Sequence, residues 1–535
     1  MLERYLHPFE AGRGLQEQLR ERLLNAILDG AMPPSEAMPS SRKLSELLKI
    51  SRNTVVLVYE HLVQDGYLIP SDRRGYFINE KFLHQQLNVS LRASSQKLFD
   101  RPDHAPDWGR RMQTESAQMR AIIKPRNWRE YRYPFIYGQV EADEQTAVRW
   151  RDCARIAAMG AHMRCWVDDQ VTLDDPLLVE QIIARVLPKR GIKAGPEEIL
   201  VTIGTQNSLY MLAQLLGRPG LIMGLEDPGY VDARNIFGLS GCDLRPLRID
   251  GQGLVVDKQL DGCDMLFCTP SHQSPTGVTM PVYRRMELLA SARERDFLVI
   301  EDDYESEQNY LGSNHPALKS FDDSGRVIYL GSLTKNLLPG LRLGFIAADP
   351  ELIHELRALR RYIYRHPPSN NQRTLALFLS MGHYDAHARR QRDRLARKWR
   401  LISRALAKHL PDCHTSGMAG GSSLWVTGTP ELDAWRLQRL VAKRGVLIEP
   451  GDIHFLGSER PQYHFRLGFG AIAEELIEPG IVALGEAWRE MQASCRLSLP
   501  RVCRCRRKAA IVRQTDRRLW PLRRVECSIR RYRFS

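Results

Sequence analysis

Gly331-Ser-Leu-Thr-Lys-Asn-Leu-Leu-Pro-Gly-Leu-Arg342 follows the apolar run Val327-Ile-Tyr-Leu330. A buried strand that opens into two hydroxyls, a lysine and an arginine sets a nucleophilic amine among groups that bind phosphate. A second run, Val299-Ile-Glu-Asp-Asp-Tyr-Glu305, ends in carboxylates, and its Asp302 lies 33 residues before Lys335. Similar runs recur at 199–203, 221–223, 265–267 and 297–300, separated by helical stretches. That alternation predicts an α/β fold with a mostly parallel central sheet.

Lysine, acid and phosphate donors together answer the needs of pyridoxal 5′-phosphate. Its aldehyde needs an amine to form an imine, its pyridinium nitrogen a carboxylate, its phosphate a set of donors and its ring an aromatic face. Lys335 is the expected amine and catalytic residue, and Asp302 the expected carboxylate. Ser332, Thr334 and Arg342 are expected on the phosphate. The turn Gly204-Thr-Gln-Asn-Ser208, with Thr205 and Gln206, opens a helix after a strand, so its free N–H groups can join them. Tyr304 can donate to the ring's phenolic oxygen. Tyr230, in Asp227-Pro-Gly-Tyr230, can stack on the ring, and the loop Thr269-Pro-Ser-His-Gln-Ser-Pro-Thr-Gly277 is aimed at its edge.

Residues 1–79 read as an unrelated module. Leu15, Leu19, Leu23 and Ile27 step four apart along a helix that stops at Gly30. A second helix follows Ser41. A third, capped by Ser51, carries Val55, Val56, Tyr59, Leu62 and Val63 and ends at Gly66. Segments 67–69 and 75–78 then form a hairpin. Between Ser40 and Thr54, Arg42, Lys43, Lys49 and Arg52 face only Glu46, a local basic surplus suited to phosphate contact. Ser40, Arg42, Ser51, Arg52, Asn53 and Thr54 are the candidate DNA contacts, because a recognition helix needs short polar and basic side chains near its N-terminus.

Overall charge does not make this argument. Of the formal +14, residues 496–535 account for twelve, with 14 Lys and Arg against Asp516 and Glu526. Residues 1–79 are neutral, with ten basic and ten acidic side chains. The expected layout is a DNA-binding domain at 1–79, a linker at 80–130 with some helix, a cofactor domain at 131–490 and an unstructured basic tail at 491–535. That tail is also the basis of a third reading, a general nucleic-acid binder. The ten cysteines show no metal-ligand spacing, and no apolar run approaches the ~20 residues of a membrane span. Without a secretory signal at the N-terminus, a cytoplasmic location is expected.

The ordered pattern Met38-Pro-Ser-Ser-Arg42, Ser51-Arg-Asn-Thr-Val55, Tyr59, Leu62, Gly66-Tyr67 and Gly75-Tyr-Phe77 resembles the GntR-family winged helix-turn-helix. A proline-rich turn at 31–38 and the wing Arg73-Arg-Gly-Tyr-Phe77 depart from the usual form. Residues 131–490 resemble fold-type I aminotransferases, with Gly-Thr-Gln, Asp-Pro-Gly-Tyr, Pro-Thr-Gly, Glu-Asp-Asp-Tyr and Ser-x-Thr-Lys in the family's order. That likeness implies that Arg466, in His464-Phe-Arg-Leu-Gly468, grips the α-carboxylate of a substrate or effector. Ser274 stands where the family has an asparagine on the ring's phenolic oxygen, a contact that His272 or Gln273 could take over.

The two domains in series resemble the MocR subfamily of GntR-family transcription regulators. The resemblance implies a pyridoxal phosphate-bound homodimer, domain-swapped, that binds double-stranded operator DNA and responds to a small amine or amino acid by exchange at the Lys335 imine. The alternative is an active aminotransferase that carries an accessory DNA-binding domain.

Overall fold

Leu19, Leu23 and Ile27 recur at helical spacing and are all buried on one face of helix α1 (Leu15–Leu28). This computed structural model describes residue 9 and residues 14–498, apart from 29–30, 35, 72–73, 80–105, 113–115, 142, 313–314, 336, 417–419 and 458–459. The chain divides into two compact units, Met1–Gln113 and Thr114–Ser535. The expected helix stop at Gly30, wing-tip Arg73 and the tail beyond Ser498 lie outside the described residues.

In the first unit α1 and α2 (Ser41–Leu48) both pack on α3 (Arg52–Gln64), followed by the antiparallel strands β1 (Leu68–Ser71) and β2 (Gly75–Ile78). Hydroxyls start both later helices: Ser40 Oγ accepts from Lys43 N and Ser51 Oγ from Asn53 N. Lys49, in the left-handed conformation, closes α2 and makes the tight turn. Val58, rather than the expected Val56, joins Val55, Tyr59 and Leu62 in the core. Arg42 and Arg52 are exposed, and Arg52 Nε donates to Ser41 Oγ at 3.2 Å, which ties the start of α3 to that of α2. Asn53 is exposed and Thr54 half-buried on the first turn of α3.

The second unit opens with β3 (Tyr133–Pro134) and is built on an eight-stranded sheet. Its strands are β4 (Ile199–Thr202), β5 (Ile222–Asp227), β6 (Asp243–Asp250), β7 (Gly253–Leu254), β8 (Met265–Cys268), β9 (Leu298–Asp303), β10 (Val327–Ser332) and β11 (Gly344–Ala347). Their order is β4-β11-β10-β9-β8-β5-β6-β7, with only β11 and the short β7 antiparallel to their neighbours. Strands β4, β5, β8, β9, β10 and β11 are covered on both faces and largely apolar, whereas β6 buries only Leu247: in β4, Ile199 and Val201 enter one core cluster, and Leu200 between them enters another. The strands β12 (His414–Thr415), β13 (Ser423–Thr427), β14 (Val446–Leu447), β15 (Glu449–Pro450) and β16 (His464–Gly468) follow. Of these, β12-β13-β16-β15 form a separate sheet, and β14 pairs with β3.

Two expected boundaries meet continuous structure. The last helix, Glu474–Ser498, runs through residue 490. Part of the expected linker is packed into the second unit: Arg120 Nη2 donates to Asp452 Oδ2 at 2.6 Å, and Asn235 Nδ2 donates to the Arg120 carbonyl at 2.8 Å. Among the described residues no helix is long and apolar enough to cross a membrane.

Buried Asp174 fastens helix Pro350–Ile363 to the sheet. It accepts from Arg360 Nη1 at 2.6 Å, Arg357 Nη1 at 2.8 Å and Val201 N at 3.2 Å. Asp174→Ala strands Arg360, which is fully buried, and should cost the second unit ~3–5 kcal/mol in urea unfolding. A loss below ~1 kcal/mol would show that the helix is held by its apolar face alone.

Candidate functional site

The parallel strands β4, β5, β8, β9 and β10 deliver the expected residues to one end of the sheet. A crevice at the carboxyl ends of parallel strands is where α/β folds bind ligands. Asp302 is the penultimate residue of β9 and pairs in register with Leu330 of β10, so the turn after β10 carries Lys335 back toward it. Lys335 Nζ lies 3.8 Å from the centre of the Tyr304 ring and donates to Tyr137 Oη at 2.5 Å.

The acids of β9 differ because their surroundings differ. Burial acts to raise Asp303, but Arg190 Nε at 2.7 Å and Tyr329 Oη at 2.8 Å outweigh it and hold its pKa down. Glu301 accepts the backbone N–H groups of Leu318 and Lys319. Asp302 has no such support: its Oδ1 is buried without a hydrogen-bond partner among the described residues. Burial pushes its pKa to about 7, against the attraction of Lys335. Burial also pushes the Lys335 amine down to about 8, against the attraction of Glu305 and Asp302.

An anion site adjoins this pair. Helix Thr205–Leu216 begins at Gly204, whose φ of +101° suits glycine. A Cβ there would stand 2.9 Å from Arg342 Nη2, so the missing side chain lets the guanidinium lie against the helix start. A cation at the positive end of a helix dipole is unfavourable unless an anion sits between them. Thr205 and Gln206 occupy the first turn of that helix, and half-buried Ser332 ends β10. Thr334 plays a different part from the expected phosphate donor. Its Oγ1 donates to the Leu343 carbonyl at 3.2 Å and accepts from Leu343 N at 3.0 Å, closing the loop that carries Lys335.

Tyr230 Oη donates to Asp232 Oδ2 at 3.2 Å, and Asp302 is among the charges that act on its phenol. In the loop 269–277, Ser274 is buried and its backbone N–H donates to Thr269 Oγ1 at 2.9 Å. Gln273 is not free to replace the missing asparagine: its amide nitrogen donates to Glu226 and to two carbonyls, and its oxygen accepts from Thr276. His272 is buried with neither ring nitrogen partnered among the described residues, so it alone of the two retains the capacity for that contact.

Arg466 is 2 % exposed, and its guanidinium carbon lies 3.8 Å from the centre of the Tyr137 ring. It already has a counter-ion, Glu449, at 2.5 Å. Tyr137, Glu449, His454 and Lys124 are site residues that sequence reasoning missed. Tyr137 follows the short apolar run 133–136, and Lys124 lies in the expected linker. Glu449 and Arg466 meet only through the antiparallel pairing of β15 with β16, which spacing in the chain does not disclose.

Residues 172–484 match the family model described as aminotransferase class I and II, and residues 15–78 match that of the bacterial regulatory proteins of the gntR family. The chain is 38 % identical to the HTH-type transcriptional regulator TauR of Rhodobacter capsulatus, over 89 % of this chain and 97 % of TauR. It is 31 % identical to the "Probable rhizopine catabolism regulatory protein MocR" of Rhizobium meliloti, over 91 % of this chain and 96 % of that protein. The chain belongs to the MocR-type regulators of the GntR family. The structure of kynurenine aminotransferase from Pyrococcus horikoshii, solved in complex with PMP, superposes with a TM-score of 0.65 at 25 % identity. That match covers 72 % of this chain and 98 % of the enzyme. MocR-type chains therefore pair a gntR DNA-binding domain with the fold of a pyridoxal phosphate-dependent enzyme family.

A carboxyl whose pKa is higher folded than unfolded binds extra protons in the folded state, so its contribution weakens stability as pH rises between the two values. For Asp302 that window runs from 3.8 to about 7. In cofactor-free protein, Asp302→Asn should match the native chain near pH 4 and exceed its stability by ~2–4 kcal/mol at pH 7.5. An offset that does not change with pH would show that Asp302 is not strained by burial.

Proposed function

We propose that this chain is a transcription regulator that holds pyridoxal phosphate on Lys335, senses an amine or amino acid there and binds double-stranded operator DNA through α3. One observation carries the cofactor assignment. A buried carboxylate, one oxygen of which has no hydrogen-bond partner among the described residues, faces a half-buried lysine, next to a guanidinium set against a helix N-terminus. Each of these costs free energy in the empty protein, and each is relieved by a ligand with a cationic ring, an aldehyde and a dianion. Asp302 would hold the ring nitrogen, Arg342 with Thr205, Gln206 and Ser332 the phosphate, and Tyr230 and Tyr304 the ring. When bound, pyridoxal phosphate supplies an aldehyde that condenses reversibly with amines and a ring that withdraws electrons.

The chain's own groups do the rest. Tyr137 and Tyr304 surround the Lys335 amine, and burial keeps that amine partly neutral near physiological pH, the form able to react. Arg466 orients the acid end of a ligand. On the DNA side, Arg42, Arg52, Asn53 and Thr54 line the starts of α2 and α3, while the hydroxyls of Ser40 and Ser51 cap those helices. The protein acts in the cytoplasm as a homodimer, with the heads of a domain-swapped pair reading two half-sites. An effector changes DNA affinity only through its differential binding to two states of that dimer.

A working aminotransferase is the second reading, favoured by the Lys335 pKa of about 8, which suits an acid–base catalyst at neutral pH. Multiple-turnover product from an amino acid and a keto acid, with no ligand effect on DNA binding, would select it. Under the regulator reading, Lys335→Ala removes the yellow colour of the cofactor-bound protein and the ligand response, but leaves operator affinity within about threefold. Arg52→Ala weakens operator binding roughly tenfold or more and leaves the absorbance unchanged. Loss of both properties in both variants would contradict it. The readouts are visible absorbance and fluorescence anisotropy of labelled DNA.

A further inference from the structure

Glu449 and Arg466 sit directly opposite each other on β15 and β16, and their side chains meet at 2.5 Å between Oε1 and Nη2. The contact is short but poorly aligned: Arg466 Nη2 and Nε are buried without a properly directed hydrogen bond among the described residues. Glu449 Oε1 also lies 3.0 Å from His454 Nε2, while His454 Nδ1 lies 3.0 Å from the Gly229 carbonyl oxygen. With an acceptor at each ring nitrogen, only a doubly protonated imidazole makes both contacts as hydrogen bonds. Glu449 therefore has two possible cationic partners, and Arg466 has donors to offer a second anion. Glu449 and Lys124 also form part of the wall of a cavity of about 320 Å³, otherwise lined by groups such as Trp435, Ile448 and Ile453.

We propose that Glu449 sets the ligand specificity of this site by competing for Arg466, so that an entering ligand must carry an acid group able to displace it. The proposal rests on reading the site as an effector pocket and names the class of effector: a small anion-bearing molecule, selected over neutral analogues by ion exchange at Arg466. Two carboxylates cannot share the buried guanidinium without repelling each other. Displaced Glu449 keeps its contact with His454, whose imidazole is held below its ordinary pKa by burial, against the pull of Glu449 and with the help of the nearby Arg466 charge.

This exchange moves a proton, with a definite sign. In the closed pair burial acts to raise Glu449, but Arg466 and His454 outweigh it and hold its pKa at about 2. Losing Arg466 restores the effect of burial, so the Glu449–His454 pair binds protons more tightly once a ligand has taken the guanidinium. The ligand-bound state then holds more protons, and affinity falls as pH rises. The titratable groups facing the pair are His454 after β15, Lys124 from the preceding segment, Lys335 from the loop after β10 and Tyr304 after β9, with Tyr137 against the Arg466 guanidinium.

Isothermal titration of the full chain with propionate and with its neutral isostere propanamide tests this. Neither probe carries an amine, so the result does not depend on the chemistry at Lys335, and a failure of the cofactor assignment leaves it readable. Glu449→Gln should bind propionate roughly tenfold or more tighter than the native chain, with propanamide unchanged, and Arg466→Ala should abolish propionate binding in either background. In the native chain, titrations in buffers of different ionisation heat should show proton uptake and an affinity that falls as pH rises. That measurement needs no variant and decides the matter if Glu449→Gln does not fold. Propionate binding to Glu449→Gln that is unchanged or weaker would overturn the proposal and make Glu449 a support for Arg466. So would native binding without proton uptake.

Discussion

Asp302 and Lys335 impose the constraint on which the second unit depends. Asp302 is buried and Lys335 half-buried, and one oxygen of the acid has no hydrogen-bond partner among the described residues. Stability alone would favour an apolar pair of similar volume at such a position. The acids on either side show the same strand arranged for stability: Asp303 is held by Arg190 and Tyr329, and Glu301 by two backbone N–H groups. Only the middle carboxylate, aimed at the crevice, lacks directed partners. A site of this kind trades stability for the capacity to bind.

The scaffold makes that strain tolerable. The parallel strands β4, β5, β8, β9 and β10, buried on both faces, fix the direction of each loop that leaves their carboxyl ends. Close approach then depends on residues without side chains: Gly204 admits the Arg342 guanidinium, and a Cβ on Gly468 would meet the backbone of Ile136 at 2.3 Å, next to Tyr137. The smaller sheet adds Arg466 and Glu449 through one cross-strand pair. The crevice at the carboxyl ends of the parallel strands and the Glu449–Arg466 ion pair thus come from two different sheets.

Much of this was legible in the sequence, because local chemistry decided it. Strands covered on both sides are apolar without alternation, and serine before an apolar helix marks a cap, as Ser40 and Ser51 do. Lys335, Asp302 and Arg342 are expected together from residue type and order, and the fold brings them to one end of the sheet. The misses have a common origin in tertiary contact. Thr334 has the residue type of a phosphate donor, but folding turns its hydroxyl onto Leu343. Gln273 is taken up by its own loop and by Glu226 and Pro228 at the end of β5. Segment 116–130 lacks periodicity because it packs as an irregular strap, anchored by Arg120, and so resembled a linker while bringing Lys124 to the site. Glu449 faces Arg466 only because β15 and β16 pair in that register.

Family membership and fold give this chain a DNA-binding head and the architecture of a cofactor enzyme; the cofactor itself is the central claim. Its most direct test is reduction of the purified, pyridoxal phosphate-treated protein with borohydride, followed by peptide mapping by mass spectrometry. A single phosphopyridoxyl group on the peptide containing Lys335 is the expected result. An unlabelled protein, or a label on another lysine with Lys335 unmodified, would contradict the account.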